Sequence, residues 1–113
     1  MWRVFRTAEP IGIENRTYAY PNPFAPDDEP IRIHFSLQDV ASGNRSVTIR
    51  IFDFAMHPVQ TIIQNASRSN GSEYDELWDG RNAQRTLVAN GVYFYRVEIT
   101  NKQPAWGKIL VLK

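Results

Sequence analysis

Apolar and polar residues alternate with a period of two along most of the chain, and a helical period is hard to find. Ile31, Ile33, Phe35 and Leu37 interleave with Arg32, His34, Ser36 and Gln38, the pattern of a half-buried strand. Val47, Ile49 and Ile51 alternate with Thr48 and Arg50 in the same way, and Ser42-Gly43-Asn44 before them supplies turn chemistry. Val59 to Ile63 is a shorter apolar run, and the polar stretch Gln64 to Ser72 after it reads as a surface loop. Tyr74 to Trp78 predicts another strand, turned by Asp79-Gly80. Val92 to Thr100 follows Asn90-Gly91, with Tyr93, Tyr95, Val97 and Ile99 on its core face; Val92 and Phe94 imply partial cover opposite. Trp106 to Leu112 is almost continuously apolar, which predicts a strand covered on both faces.

Six or seven short strands without a helix predict an all-β domain of two antiparallel sheets packed face to face, with a small barrel as the alternative. Trp78, Tyr93, Tyr95, Ile49, Ile51, Phe35 and Ile109 are expected to share one core. The domain is placed at residues 17–113. Within 1–16, Glu9-Pro10-Ile11-Gly12 reads as a linker and Trp2-Arg3-Val4-Phe5 as an edge strand or the tail of a preceding region.

Length and charge narrow the picture. A chain of 113 residues suits one domain, and about two-thirds of its surface is expected to be buried on folding. Thirteen Lys and Arg against twelve Asp and Glu leave a net charge of +1, which removes the electrostatic case for nucleic acid or an anionic membrane. Cysteine is absent, so disulfides, thiolate metal sites and cysteine nucleophiles are excluded together. No stretch approaches the ~20 apolar residues of a membrane span. Asn-x-Ser/Thr triplets begin at Asn15, Asn44, Asn65 and Asn70, and they read as turn chemistry rather than glycan acceptors.

The side chains offer little chemistry. His34 lies at the polar register of a strand and His57 precedes Pro58 in a turn; neither belongs to a nucleophile motif. Two scattered histidines do not make a zinc site. The acidic runs Asp27-Asp28-Glu29 and Asp75-Glu76 with Asp79 lack calcium-loop spacing and read as solvated loops and turn caps. No catalytic residue, metal or cofactor is expected, nor a small-molecule ligand. Sugar stacking on Trp2, Trp78, Tyr93, Phe94, Tyr95 or Trp106 is mostly outweighed by a core role, and Phe94 and Trp106 are the two rings whose exposure would favour it.

Several segments recur in a recognisable order: Tyr20-Pro21-Asn22-Pro23-Phe24-Ala25-Pro26, the strand from Ile31, Val47 to Asp53, Trp78-Asp79-Gly80-Arg81-Asn82, Val88-Ala89-Asn90-Gly91-Val92-Tyr93-Phe94-Tyr95, and the terminal Lys108-Ile109-Leu110-Val111-Leu112-Lys113. From about Thr17 to Lys113 this resembles the immunoglobulin-like domain family named after the bacterial flagellar hook-capping protein. That family is similar to the C-terminal sorting domains of proteins exported by the type nine secretion system. The resemblance implies an immunoglobulin-like antiparallel β-sandwich of about seven strands. The signature roles are architectural. Each residue before proline favours an extended lead-in through Tyr20-Pro21-Asn22-Pro23, Phe24 anchors the sandwich edge, and Trp78 plugs the core. Asp79 accepts turn N–H groups, Gly80 supplies a positive φ, and Asn90-Gly91 turns the chain into its next strand. Relatives commonly carry Gly where this chain has Arg85, and often Pro near Leu87, so the turn over Asn82 to Thr86 is expected to bend differently.

The resemblance implies a non-catalytic C-terminal module of a larger exported bacterial protein, taken through the periplasm to the outside or the cell surface. Its partners would be secretion machinery or neighbouring domains of the parent protein, and the strand Lys108 to Lys113 is the candidate recognition element. A chain ending just after that strand suits a native C-terminus. The alternatives are a scaffold domain of flagellar hook assembly and a carbohydrate-binding accessory module of an extracellular hydrolase.

Overall fold

The computed structural model describes residues 17–37 and 43–113. The linker or edge strand expected over 1–16, Asn15 itself and Ser42 of the expected turn before Val47 lie outside them. Seven strands follow one another: β1 (Thr17–Tyr20), β2 (Ile31–Ser36), β3 (Asn44–Phe52), β4 (Pro58–Ser69), β5 (Glu73–Trp78), β6 (Gly91–Ile99) and β7 (Ala105–Val111). They form a three-stranded sheet in the order β1-β2-β5 and a four-stranded sheet in the order β4-β3-β6-β7. All these pairs are antiparallel. The architecture is the sandwich that the alternation predicts.

The core follows the period of two. Ile31, Ile33 and Phe35 of β2 face Ile49 and Ile51 of β3, Tyr93, Tyr95 and Val97 of β6, and Ile109 and Val111 of β7 in one buried cluster. Full burial of each such side chain contributes about 1.5–3 kcal/mol. Every expected core residue is buried. Trp78 ends β5 beneath Phe24 and edge-on to Tyr93, with ring centroids 5.8 and 6.0 Å away, and its indole N–H donates to the Arg81 carbonyl at 2.9 Å. The Tyr93 hydroxyl donates to the Ala89 carbonyl four residues back at 2.7 Å, the tyrosine corner of immunoglobulin-like sandwiches. Tyr95 reaches between the sheets to Thr17 Oγ1 at 3.0 Å, and its ring fills the place where Gly107 has no Cβ.

Three expectations are corrected. The polar stretch after Ile63 is a strand as far as Ser69, pairing Ala66, Ser67, Arg68 and Ser69 with Val47, Ser46, Arg45 and Asn44. It is an edge strand held by its backbone ladder, so its side chains stay largely solvated and show no apolar pattern. Asn65 takes φ +52° at the irregularity, and its N–H donates to the Thr48 hydroxyl at 3.0 Å. The terminal strand is not covered on both faces: Ile109 and Val111 enter the core, while Trp106, Lys108 and Leu112 are exposed, because a two-layer sandwich covers only the inner face of each sheet. Finally, Tyr20 to Pro23 bends rather than runs extended, with both X-Pro bonds cis.

Two substitutions test this packing by urea unfolding. Trp78→Ala is expected to cost about 3–5 kcal/mol as a large-to-small core change. Gly107→Ala drives a methyl into the Tyr95 ring and is expected to cost about 1–3 kcal/mol, the range for overpacking. A neutral Gly107→Ala would contradict the contact.

Candidate functional site

The signature residues near the start of the domain close its edge. After β1 the chain leaves the small sheet, and Phe24 makes a parallel bridge to Val111 in the large one. The Phe24 N–H donates to Leu110 O at 2.8 Å, and the Leu112 N–H donates to Phe24 O at 3.0 Å. The Asn22 side chain mimics another peptide unit. Its Nδ2 donates to Lys108 O at 2.8 Å and its Oδ1 accepts the Leu110 N–H at 2.9 Å. At the far end, Asn90 Oδ1 accepts the Lys113 N–H at 2.8 Å. The candidate recognition strand therefore has outward backbone groups of Lys108, Leu110 and Leu112 already bonded within the chain.

The Trp78 to Arg81 turn matches its expected chemistry. Asp79 Oδ1 accepts the Arg81 N–H at 3.1 Å, and Gly80 has φ +82°. A Cβ at Gly80 would also sit 2.8 Å from Pro26 Cγ, so glycine lets the turn rest on the Ala25-Pro26 segment. Arg85 itself takes φ +68°, the left-handed conformation a glycine adopts freely. The Arg85 guanidinium pairs with Asp79 Oδ2 at 2.5 Å. Burial pushes the Asp79 carboxyl up, but bonds from Arg85 and the Arg81 N–H leave it below the ordinary range.

Among the described residues, neither histidine ring is hydrogen-bonded to a nucleophile. On the outer face of the small sheet, His34 Nδ1 lies 2.8 Å from Asp75 Oδ1 and Nε2 lies 2.7 Å from Glu73 Oε1. A triad would place a hydroxyl where Glu73 stands. Tyr18 stacks on the His34 ring at 4.6 Å, and the Tyr20 hydroxyl donates to Asp75 Oδ2 at 2.8 Å. Burial pushes the Asp75 carboxyl up, yet the bonds from His34 and Tyr20, with the charges of His34 and Arg32, hold it below the usual carboxylate range. His57 closes the Asp53 turn, its N–H donating to Asp53 Oδ1 at 2.8 Å. Among the described residues no group of three His, Cys, Asp or Glu side chains is placed to hold a metal ion. Asp28 and Glu29 N–H groups both donate to Ala25 O in a surface turn.

The outer face of the large sheet is the unexpected surface. Phe52, Phe94 and Lys108 stand in one cross-strand row, and Arg50, Arg96 and Trp106 in the next. The Phe52 and Trp106 rings touch each other, with centroids 5.6 Å apart, and the Arg96 guanidinium rests against both, 4.8 and 5.3 Å from their centroids. Phe54 stacks on Phe94 at 6.1 Å. Glu98 accepts from Arg50 at 3.3 Å and also pairs with Arg96. Trp106 is 46% exposed and Phe54 74%, while Phe94 is half-buried. Sequence reasoning singled out Phe94 and Trp106 but missed Phe54, which follows the β3 alternation into the turn and carries no periodic signal.

The fold and these surfaces define an immunoglobulin-like sandwich module. No family model and no curated protein matches the chain. Among solved structures, PorZ, an essential bacterial surface component of the type IX secretion system of Porphyromonas gingivalis, matches with TM-score 0.55 and 20% identity over 86% of this chain and 11% of that one. Dimeric latent PorU from the same bacterium matches with TM-score 0.63 and 18% identity over 85% of this chain and 9% of that one. At such identities the likeness shows the fold, and the chain spans only about a tenth of either protein's length.

Two outcomes follow. Asn22→Ala removes two exposed bonds to the β7 edge and is expected to cost about 1–2 kcal/mol in urea unfolding; no change would mean that Asn22 does not hold that edge. The Asp75 pKa is lowered by folding, so its carboxylate contributes stability that is full above the unfolded value of about 3.9 and is lost as pH falls through the folded value. Asp75→Asn is therefore expected to lower stability at pH 7 and to flatten the acid limb of the stability curve below about pH 4. Parallel acid limbs in the two proteins would contradict the assignment.

Proposed function

We propose that the chain is a non-catalytic module that carries a larger exported bacterial protein to the outside or the cell surface, and that it is read by secretion machinery. The observation that carries this reading is the fold it shares with portions of PorZ and PorU. The ordered signature adds to it, since Asn22, Phe24, Trp78, Asp79, Gly80, Asn90 and Tyr93 all hold the sandwich together. None of them is left over for turnover. A protein whose described polar clusters are spent on its own backbone and strands is better suited to being recognised than to reacting.

The carbohydrate-binding alternative has one observation in its favour, the exposed face of Trp106. The hook-assembly alternative has none in this structure. Fusing the whole chain to the C-terminus of a periplasmic reporter, in a bacterium with type nine secretion, separates these readings. The folded reporter is expected outside the cell or on its surface, at several times the level seen without the module. Retention of the folded fusion in the periplasm would overturn the sorting reading. Deleting Lys108 to Lys113 is a poor control, because it removes Ile109 and Val111 from the core.

A further inference from the structure

We infer that the module is recognised through the outer face of its four-stranded sheet, by a protein surface that presents an apolar ridge flanked by carboxylates. This rests on the sorting reading above and says where that recognition happens. Two candidate modes compete. Strand addition at the terminal strand is disfavoured, since Asn22 and Phe24 already take the outward groups of Lys108, Leu110 and Leu112. A side-chain face needs no free backbone.

That face has the make-up of an interface centre. Aromatic residues, Met and Arg are enriched in such centres, and Trp and Arg among the residues that dominate binding energy. Here Trp106 packs against Phe52, Arg96 rests on both rings, and Phe54 extends the patch over Phe94. Val92 and Leu110 form the next cross-strand pair, both half-buried, and Met56 is exposed in the turn beside Phe54. Trp106 and Phe54 keep 46% and 74% of their surface exposed, so at ~150–250 Å² per ring covering them buries roughly 180–300 Å², the centre of a standard interface of ~800 Å² per side. The aliphatic extension favours protein over sugar, because a polyhydroxylated ligand laid on Val92, Leu110 and Met56 would lose hydration without gaining bonds.

Charge decides between a second copy and a different partner. Among the described residues, Arg50, Arg96 and Lys108 stand against Glu98 on this face, leaving two positive charges in excess. A two-fold pairing of the face with itself would bring those excesses together. An acidic partner instead complements them, and Lys108, exposed and without a ring or carboxylate against its ammonium among the described residues, is the cation placed at the rim.

The test uses the full-chain reporter fusion with four variants. Phe54→Ser with Trp106→Ser removes the apolar anchors, and Lys108→Glu reverses the rim charge. Lys108→Arg and Tyr18→Ser on the opposite sheet are the controls. The anchor and reversal variants are expected to lower export at least about tenfold, the loss that follows removal of dominant interface residues. The two controls are expected to stay within about twofold of the parent. Thermal melts of the purified chains check folding, and Phe54→Ser alone replaces the double variant if that one melts early, since Phe54 is 74% exposed. Normal export by the anchor and reversal variants overturns this inference and leaves the sorting reading standing, whereas failure of the parent fusion overturns both. Normal export together with anchor-dependent binding of the purified chain to cell-surface polysaccharide would assign the face to sugar instead.

Discussion

The sandwich depends on the chain crossing from one sheet to the other between Tyr20 and Phe24. β1 pairs with β2 in the small sheet, and four residues later Phe24 is bonded to β7 in the large one. A two-layer fold held only by its apolar interior could shear along that interior. Here a covalent segment ties the layers at the flank where the first and last strands meet. The same crossing drives Phe24 beneath Trp78 and lets the Asn22 side chain stand in for a peptide unit at the β7 edge. One short segment thus supplies a core anchor, an edge cap and a cross-link between sheets.

The opposite flank is closed by the turn over residues 70–72, which carries the chain from β4 in the large sheet to β5 in the small one. Beside that turn the Arg68 guanidinium reaches from β4 to Glu76 at 2.9 Å and lies 5.9 Å from the Tyr74 ring centroid. Both ends of that pair are mostly buried, so its bonds are worth more than those of a solvated surface pair. The polar composition of β4 then acts at an exposed edge, where charged and hydroxylated side chains discourage pairing with another chain.

What was legible in the sequence follows from burial. β2 and β6 each face the core with every second residue, so Ile31, Ile33, Phe35, Tyr93, Tyr95 and Val97 announce their strands. The second half of β4 adds no apolar side chain to the core; backbone bonds to β3 and the Arg68–Glu76 pair hold it, and these have no period-two apolar signature. β7 misleads in the other direction: Trp106 and Leu110 look like core residues because they belong to an apolar outer face. Whether a strand lies at the centre or the edge of a sheet is a tertiary fact. Gly107 has no turn to mark it, and only the Tyr95 ring above it explains the missing side chain. For the candidate site, Phe94 and Trp106 stood out as rings, whereas their assembly with Phe52, Phe54 and Arg96 depends on the register between β3, β6 and β7.

These observations converge on a module whose β7 edge is closed and whose outer face is open. Amide hydrogen exchange on the unmodified protein tests that account most directly. The outward-pointing amides of Leu110 and Leu112 have no neighbouring strand, only Asn22 Oδ1 and Phe24 O as acceptors. The account predicts that they exchange as slowly as the β6 amides of Tyr93 and Tyr95, which lie inside the sheet. Exchange at the rate of solvent-exposed loop amides would show the β7 edge to be open, and recognition by strand addition would then replace recognition through the face.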